Sequence, residues 1–298
     1  MDSERPGAQP ADDLLDLLSE VWDADRQANN PRTREFLDAG QELLHSGFTG
    51  APGGTPGTTT GRLRAPFDEL LDWVSRRRVV DQARRAWDKR GHGQGSPPTE
   101  AAYRYRWRTQ TGYLRDLVVY ALRPRMARPE ETSKAADVLL GEHGPLDEKV
   151  DRVAYDEVLN LHDDKAFRLQ MVFQATLAHD SHVANALRRI DETNVQAWKA
   201  LYQEVLDRLG LRLRPDVDMD DLAYALQATG EGVVFRSLLP ARPDAPPSAL
   251  PLDHQHKTSR PLALIAMAIL IACTDPGDGK PLRQAVRELA IPPEHDHG

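Results

Sequence analysis

The sequence predicts an all-α fold. Three observations carry that expectation. Nearly every apolar periodicity has three- and four-residue spacing, no run of β-branched residues alternates with polar ones over strand length, and Gly and Pro cluster between the periodic segments. Loops are expected at 48–60 (FTGAPGGTPGTTT), 91–98 (GHGQGSPP) and 240–256, because glycine's backbone freedom and proline's missing N–H break helix and ladder alike.

The first element is an acidic amphipathic helix over about 12–28, with Leu14, Leu15, Leu18, Val21 and Trp22 on one stripe and Asn29, Asn30 and Pro31 at its end. A second helix starts near Thr33, buries Phe36, Leu37, Leu43 and Leu44, and ends by Gly47. Residues 67–90 are helical in one or two pieces. Leu70, Leu71, Trp73, Val74, Val79, Val80, Ala83 and Trp87 turn inward there, while Arg76, Arg77, Arg78, Arg84, Arg85, Lys89 and Arg90 point elsewhere. A short helix at 99–107 and a longer one at 109–122 follow, then helices at 146–162, 164–180, 182–209 and 218–239. Within 182–209, Trp198, Leu201, Val205 and Leu209 recur at helical intervals, and Gly210 stands where a left-handed C-terminal cap belongs. The last apolar helix, 261–273, opens on Pro261 and is hydrophobic on nearly all sides, which predicts burial all round, in part by a partner subunit.

A chain of 298 residues with 40% apolar and 28% charged side chains has the composition of an ordinary globular protein with room for two modest cores. A single cysteine, Cys273, excludes an intramolecular disulfide, and the first twenty residues carry acids where a secretory signal is basic and then apolar. The expected location is therefore a reducing cytoplasm. The longest apolar run, 262–273, falls short of the roughly 18 residues that cross a bilayer, so no membrane contact is expected. The net charge of −8 is distributed unevenly. Residues 61–128 hold 16 Lys+Arg against 7 Asp+Glu, a basic domain within an acidic protein, which reads either as a solvated surface or as a nucleic-acid-binding face.

No constellation predicts an enzyme, a cofactor or a metal. His179 with His182 shares a helix face, and His254 with His256 and His295 with His297 are loop pairs, but a site needs three or four converging ligands. Cys273 sits in the apolar helix, where its thiolate is disfavoured. GHGQG at 91–95 and DGKP at 277–280 lack the surroundings of phosphate loops. The pairs Asp163–Asp164 and Asp220–Asp221 stand where helices begin and complement their dipoles.

The informative stretch is PPTEAAYRYRWRTQTGYLRDLVVYAL at 97–122. Thr99 opens a short helix carrying Tyr103, Arg104, Tyr105 and Arg106, followed by Arg108, Thr109 and Gln110 at the entry to a helix with Leu114, Leu117 and Val118 inward. Arginine forks reach phosphates and guanine edges, and tyrosine and threonine hydroxyls reach phosphates, so these eight polar residues are the DNA-binding candidates.

Two segments resemble the tetracycline-repressor-like (TetR) family of transcriptional regulators. TREFLDAGQELLHSG (33–47) is similar to that family's first helix, and WRTQTGYLRDLV (107–118) to the junction after its recognition helix, with Trp107 at the aromatic position, Thr109 at the hydroxyl and Gln110 where a lysine is usual. YQEVLDRLGLRLRPDVDMDDLAYALQATGEGVVFRSLLP (202–240) resembles its ligand-domain stretch. The chain departs from the family in an insert at 48–64, in the loop GHGQGSPP that replaces a tight turn, and in Gln110, whose phosphate contact Arg106 or Arg108 would take over.

The resemblance implies a homodimer in which 218–239 and 258–273 form a four-helix interface; Ala223, Ala228, Gly230 and Gly232 allow close backbone approach there. It implies recognition helices spaced for a pseudo-palindromic operator in double-stranded DNA, and control by a small-molecule ligand. Phe167, Met171, Phe173, Trp198, Leu201 and Tyr202 are candidates to line the ligand site, as apolar and aromatic walls do generally. The expected domains are an acidic helix at 1–31, a basic helix-turn-helix-like domain at 32–125, a helical ligand-binding and dimerisation domain at 130–290, and a tail at 291–298. The rival expectation is a helical sensor or protein-interaction dimer whose DNA-binding half is degenerate or masked by the acidic N-terminal helix.

Overall fold

The computed structural model describes residues 13–48, 73–91, 95–126, 129–141, 145–238, 252–253 and 257–290. Most of the insert at 48–64, the start of the expected 67–90 helix, most of 240–256 and the tail at 291–298 lie outside the described residues. Among those described the chain is all-helical, with no strand and two isolated antiparallel bridges, Leu213 with Thr274 and Asp253 with Thr258. The helices are α1 (Ala24–Gln27), α2 (Pro31–Phe48), α3 (Arg76–Lys89), α4 (Glu100–Arg106), α5 (Gln110–Met126), α6 (Pro129–Leu139), α7 (Leu146–Asp163), α8 (Lys165–Leu177), α9 (Ser181–Leu209), α10 (Met219–Ser237), α11 (Arg260–Cys273) and α12 (Leu282–Ala290). Contacts divide the chain into two compact units, 1–127 with 165–190 and 128–164 with 191–298.

In the first unit α2 packs on α3, α5 and α8, and α5 on α8. Its centre is aromatic: Phe36, Tyr103, Trp107 and Tyr113 are fully buried, with ring centroids 4.9 Å apart for Tyr113 against both Tyr103 and Trp107. The expected inward residues Leu37, Leu44, Val79, Val80, Ala83, Leu114, Leu117 and Val118 surround this cluster. The Tyr113 hydroxyl donates to the Phe36 carbonyl at 2.7 Å. Gly40 admits it, since a β-carbon there would stand 2.1 Å from that hydroxyl oxygen.

Two elements of the first unit differ from expectation, and the second unit adds two helices that were not expected, α6 and α12. The segment 13–22 is a chain of turns and bends instead of an amphipathic helix, and helix appears only at α1. Leu17 and Leu18 N–H share the Leu14 carbonyl in a single turn, and other donors find partners elsewhere: Leu14 N–H on Asn29 Oδ1, Ser19 and Glu20 N–H on Asp116 Oδ1, Trp22 N–H on the Arg106 carbonyl. With those groups satisfied, the segment has no need of further intrahelical bonds. Leu14, Leu18 and Val21 still enter the core, while Leu15 and Trp22 stay exposed. The second difference is α5, which runs through Pro124 to Met126 instead of stopping at Leu122. Tertiary contacts hold that last turn. Arg125, buried, donates from Nε to Gln170 Oε1 at 2.9 Å and lies over the Phe167 ring.

In the second unit α7 packs on α6, α10 and α11, and α10 on α11. Ala135, Leu201 and Val205 form one buried cluster with Trp198 at its edge, and Leu206, Leu222 and Cys273 another, with Tyr202 and Ile269 against it. Gly210 closes α9 at φ +65°, with Leu211 N–H on the Leu206 carbonyl, as its position predicts. Asp218 and Asp221 cap α10 reciprocally. Arg214 clasps the end of α11, donating from its backbone N–H to the Cys273 carbonyl and from Nε to the Ala272 carbonyl. Within this chain α11 is not buried all round. Leu262, Ala263 and Cys273 face in, while Leu264, Ile265 and Ile271 face solvent, because no element of the chain is at hand to cover them among the described residues.

Candidate nucleic-acid interface

The eight DNA-binding candidates converge on α4 and the entry to α5, where each takes one of three situations. Arg104, Tyr105, Arg108 and Thr109 are exposed. Thr99 and Gln110 are half-buried and structural. Thr99 caps α4, its hydroxyl accepting from Ala102 N–H at 3.1 Å, and Gln110 turns inward, donating to the Val74 carbonyl and accepting from the Tyr103 hydroxyl. Tyr103 and Arg106 are interior.

Burial pushes the Tyr103 hydroxyl far above its usual range, opposed by the Arg76 guanidinium over its ring. Arg106 donates to Thr33 Oγ1, the Ala102 carbonyl and Asn30 Oδ1, tying α4 to the start of α2. Burial, then the nearby Arg32, hold its guanidinium below the ordinary value. Because Tyr103 and Arg106 face the core, neither offers a side chain to a groove. Arg104, in contrast, makes an exposed pair with Glu100, one turn away, and Thr109 caps α5 by accepting from Gly112 N–H.

The basic surface extends onto α3, where Arg77, Arg78, Arg84, Arg85 and Lys89 are exposed, with Arg90 just beyond the helix. Their fold-determined company is modest: Arg78 lies over Trp73, Arg84 reaches the Pro98 carbonyl, and Arg90 pairs with Glu35. The apolar stripe of α3 explains the placement, since Val79, Val80 and Ala83 face the core and leave the cations outward.

Asp116 is the residue that sequence reasoning passed over. It is fully buried, and its carboxylate accepts from Trp107 Nε1–H at 2.9 Å and from the Ser19 and Glu20 N–H groups at 3.0 and 3.1 Å. Burial outweighs these bonds and pushes its carboxyl up to about 6. The signal available was an acid interrupting the inward stripe of Leu114, Leu117 and Val118. Beside it Arg115 bridges Glu20 and Asp180, and Asp180 accepts the His182 and Val183 N–H groups at the start of α9.

The six ligand candidates are divided three and three between the two units. Phe167, Met171 and Phe173 belong to the first unit, with Phe167 and Phe173 fully buried, whereas Trp198, Leu201 and Tyr202 belong to the second. Trp198 and Tyr202 stack at 5.5 Å between centroids. Among the described residues no group of three or more His, Cys, Asp or Glu is placed to hold a metal ion, and burial raises the Cys273 thiol. No described helix is long and apolar enough to cross a membrane. Comparison with protein-family models, curated proteins and solved structures finds no match to this chain.

Proposed function

We propose that the chain is a homodimeric, DNA-binding transcriptional regulator of the TetR type, controlled by a small-molecule ligand. The observation that carries this reading is the exposed cationic surface of α3 and α4, where Arg77, Arg84, Arg85, Lys89, Arg104 and Arg108 stand outward around a short capped helix. Phosphate contacts of this kind supply affinity and register, and Arg104 and Tyr105 are the side chains left for base edges. Dimerisation draws on α10 and α11. Tyr224, Ala228, Gly232 and Phe235 follow one exposed stripe of α10, and Leu264, Ala268 and Ile271 one of α11. Apolar faces of that extent on neighbouring helices mark an interface, and small residues between aromatics suit a two-fold contact.

Control by a ligand rests on the resemblance. It requires a ligand with different affinity for two dimer states, one matching the groove spacing and one not. The test is fluorescence polarisation of the full chain on a DNA fragment from upstream of its own gene and on an unrelated fragment, each titrated against salt. Fragment-selective binding with a steep salt slope is the expected result.

A second reading, a helical sensor or interaction dimer with a degenerate DNA-binding half, is favoured by Gln110 and Arg106, both turned inward where DNA contacts were expected. Absence of binding to either fragment at low salt would decide for it.

A further inference from the structure

The segment 13–23 lies against the end of α4 and the first turns of α5, and its charge is opposite to theirs. Asp13, Asp16, Glu20 and Asp23 fall within it and Asp25 follows at once, without one Lys or Arg among residues 13–25. Asp16, Asp23 and Asp25 are exposed. Five contacts hold it on α4, α5 and the turn between them. Ser19 and Glu20 N–H bind Asp116, the Glu20 carboxylate pairs with Arg115 at 3.2 Å, Trp22 N–H donates to the Arg106 carbonyl at 2.7 Å, and the Arg108 guanidinium lies 3.5 Å from the centroid of the Trp22 ring. Glu20 is also packed against Gly112, where a β-carbon would stand 3.1 Å from its carboxylate oxygen. Asp23 then turns the chain away in the left-handed region, φ 53°, into α1.

Resting on the DNA-binding reading above, we propose that 13–23 is an autoinhibitory strap for the cationic surface of the first unit. It acts in two ways. The Trp22 ring holds Arg108, one of the exposed cations at the end of α4, by a cation–π contact, which competes with a phosphate for the same guanidinium. Its carboxylates, Asp23 next to Trp22 in the chain among them, add negative potential on the side where Trp22 holds Arg108 and so lower the local attraction for the DNA backbone. Leu14, Leu18 and Val21 anchor the strap in the core, so it tunes the surface without leaving the fold.

The experiment uses the full chain and a mixed-sequence DNA duplex long enough for two half-sites, read by fluorescence polarisation at low and high salt. One variant carries Asp16→Asn, Asp23→Asn and Asp25→Asn; asparagine tolerates the left-handed turn at 23. The second is Trp22→Ala, which releases Arg108. Both leave the three anchoring side chains and the Asp116 bonds in place. A control removes the same number of charges from α9 with Glu192→Gln, Glu204→Gln and Asp207→Asn. Tighter binding by about tenfold at low salt in either strap variant but not in the control, shrinking at high salt, is the expected result. Measurable wild-type binding that both strap variants leave equal or weaker, or that the control tightens as much, overturns the strap and keeps the DNA-binding reading. No binding by wild type or any variant at low salt overturns that reading, and the strap's role with it.

Discussion

Asp116 shows how much one buried carboxyl can govern. Its ordinary value is 3.8 and burial raises it to about 6. Between those values the folded chain binds the proton more readily than the unfolded one, so this group's contribution to stability falls as pH rises through the window and its cost is complete above about 6. The difference amounts to about 3 kcal/mol at 1.36 kcal/mol per unit. His182, lowered chiefly by burial, works in the opposite sense below its ordinary 6.5. Comparison with Asp116→Asn isolates the carboxyl. In urea melts the wild type should gain up to about 3 kcal/mol relative to that variant on going from pH 7 to pH 4. Equal slopes for the two proteins would show that Asp116 does not titrate in that range.

Arg104 and Arg106 stand two residues apart and divide the role that the sequence reading assigns to both. Arg106→Ala removes donors from Thr33 Oγ1, the Ala102 carbonyl and Asn30 Oδ1 in a buried site, and should cost about 2–4 kcal/mol in a urea melt. Arg104→Ala breaks an exposed pair with Glu100; it should change stability by less than about 0.5 kcal/mol while weakening DNA binding. Which of the two faces outward was not legible in YRYRWR, where a seven-residue helix gives too few turns for a face to be read.

At the scale of elements, periodicity was a sound guide to α7, α9 and α10 and passed over the shorter α6 and α12. Residues 146–162, 182–209 and 218–239 were expected, and α7, α9 and α10 run from Leu146 to Asp163, Ser181 to Leu209 and Met219 to Ser237. It misled at 13–22, where the same spacing of Leu14, Leu18 and Val21 is met by turns. Those three residues reach the core either way, and the contacts that choose turns come from Asp116 and Arg106, nearly a hundred residues along the chain. Packing between α2 and α5 sets another limit on sequence. Gly40→Ala puts a methyl group against the Tyr113 hydroxyl oxygen and both Leu117 methyls, within 3 Å of each. The expected cost is about 1–3 kcal/mol, read as a lowered thermal melting point, with full relief only if Tyr113→Phe and a smaller residue at 117 accompany it.

For the molecule as a whole, the outward face of the second unit is the feature its own chain leaves unfinished. Leu264 and Ile271 are 61% and 72% exposed and Tyr224 68%, the exposures on which the proposed dimer contact rests. A dimer through α10 and α11 predicts that Ile271→Arg elutes as a monomer by size exclusion with light scattering, while the wild type elutes as a dimer. A monomeric wild type would remove the two-fold geometry on which a pseudo-palindromic operator depends.

Helix content, most helix limits, the inward residues of α3 and α5, and the contrast between a basic segment and an acidic remainder all stood in the sequence, because each depends on side-chain period or on charge within a short window. Contacts across long separations were of another kind. That 165–190 packs with 1–127, that Asp116 receives the backbone of Ser19 and Glu20, that Arg106 is enclosed while Arg108 is held on Trp22, and that Phe167 and Trp198 belong to different units follow from the meeting of helices distant in the chain. Local pattern records which face of a helix is apolar; burial and pairing depend on what comes to lie against that face, and the side chains that decide it are far away in sequence.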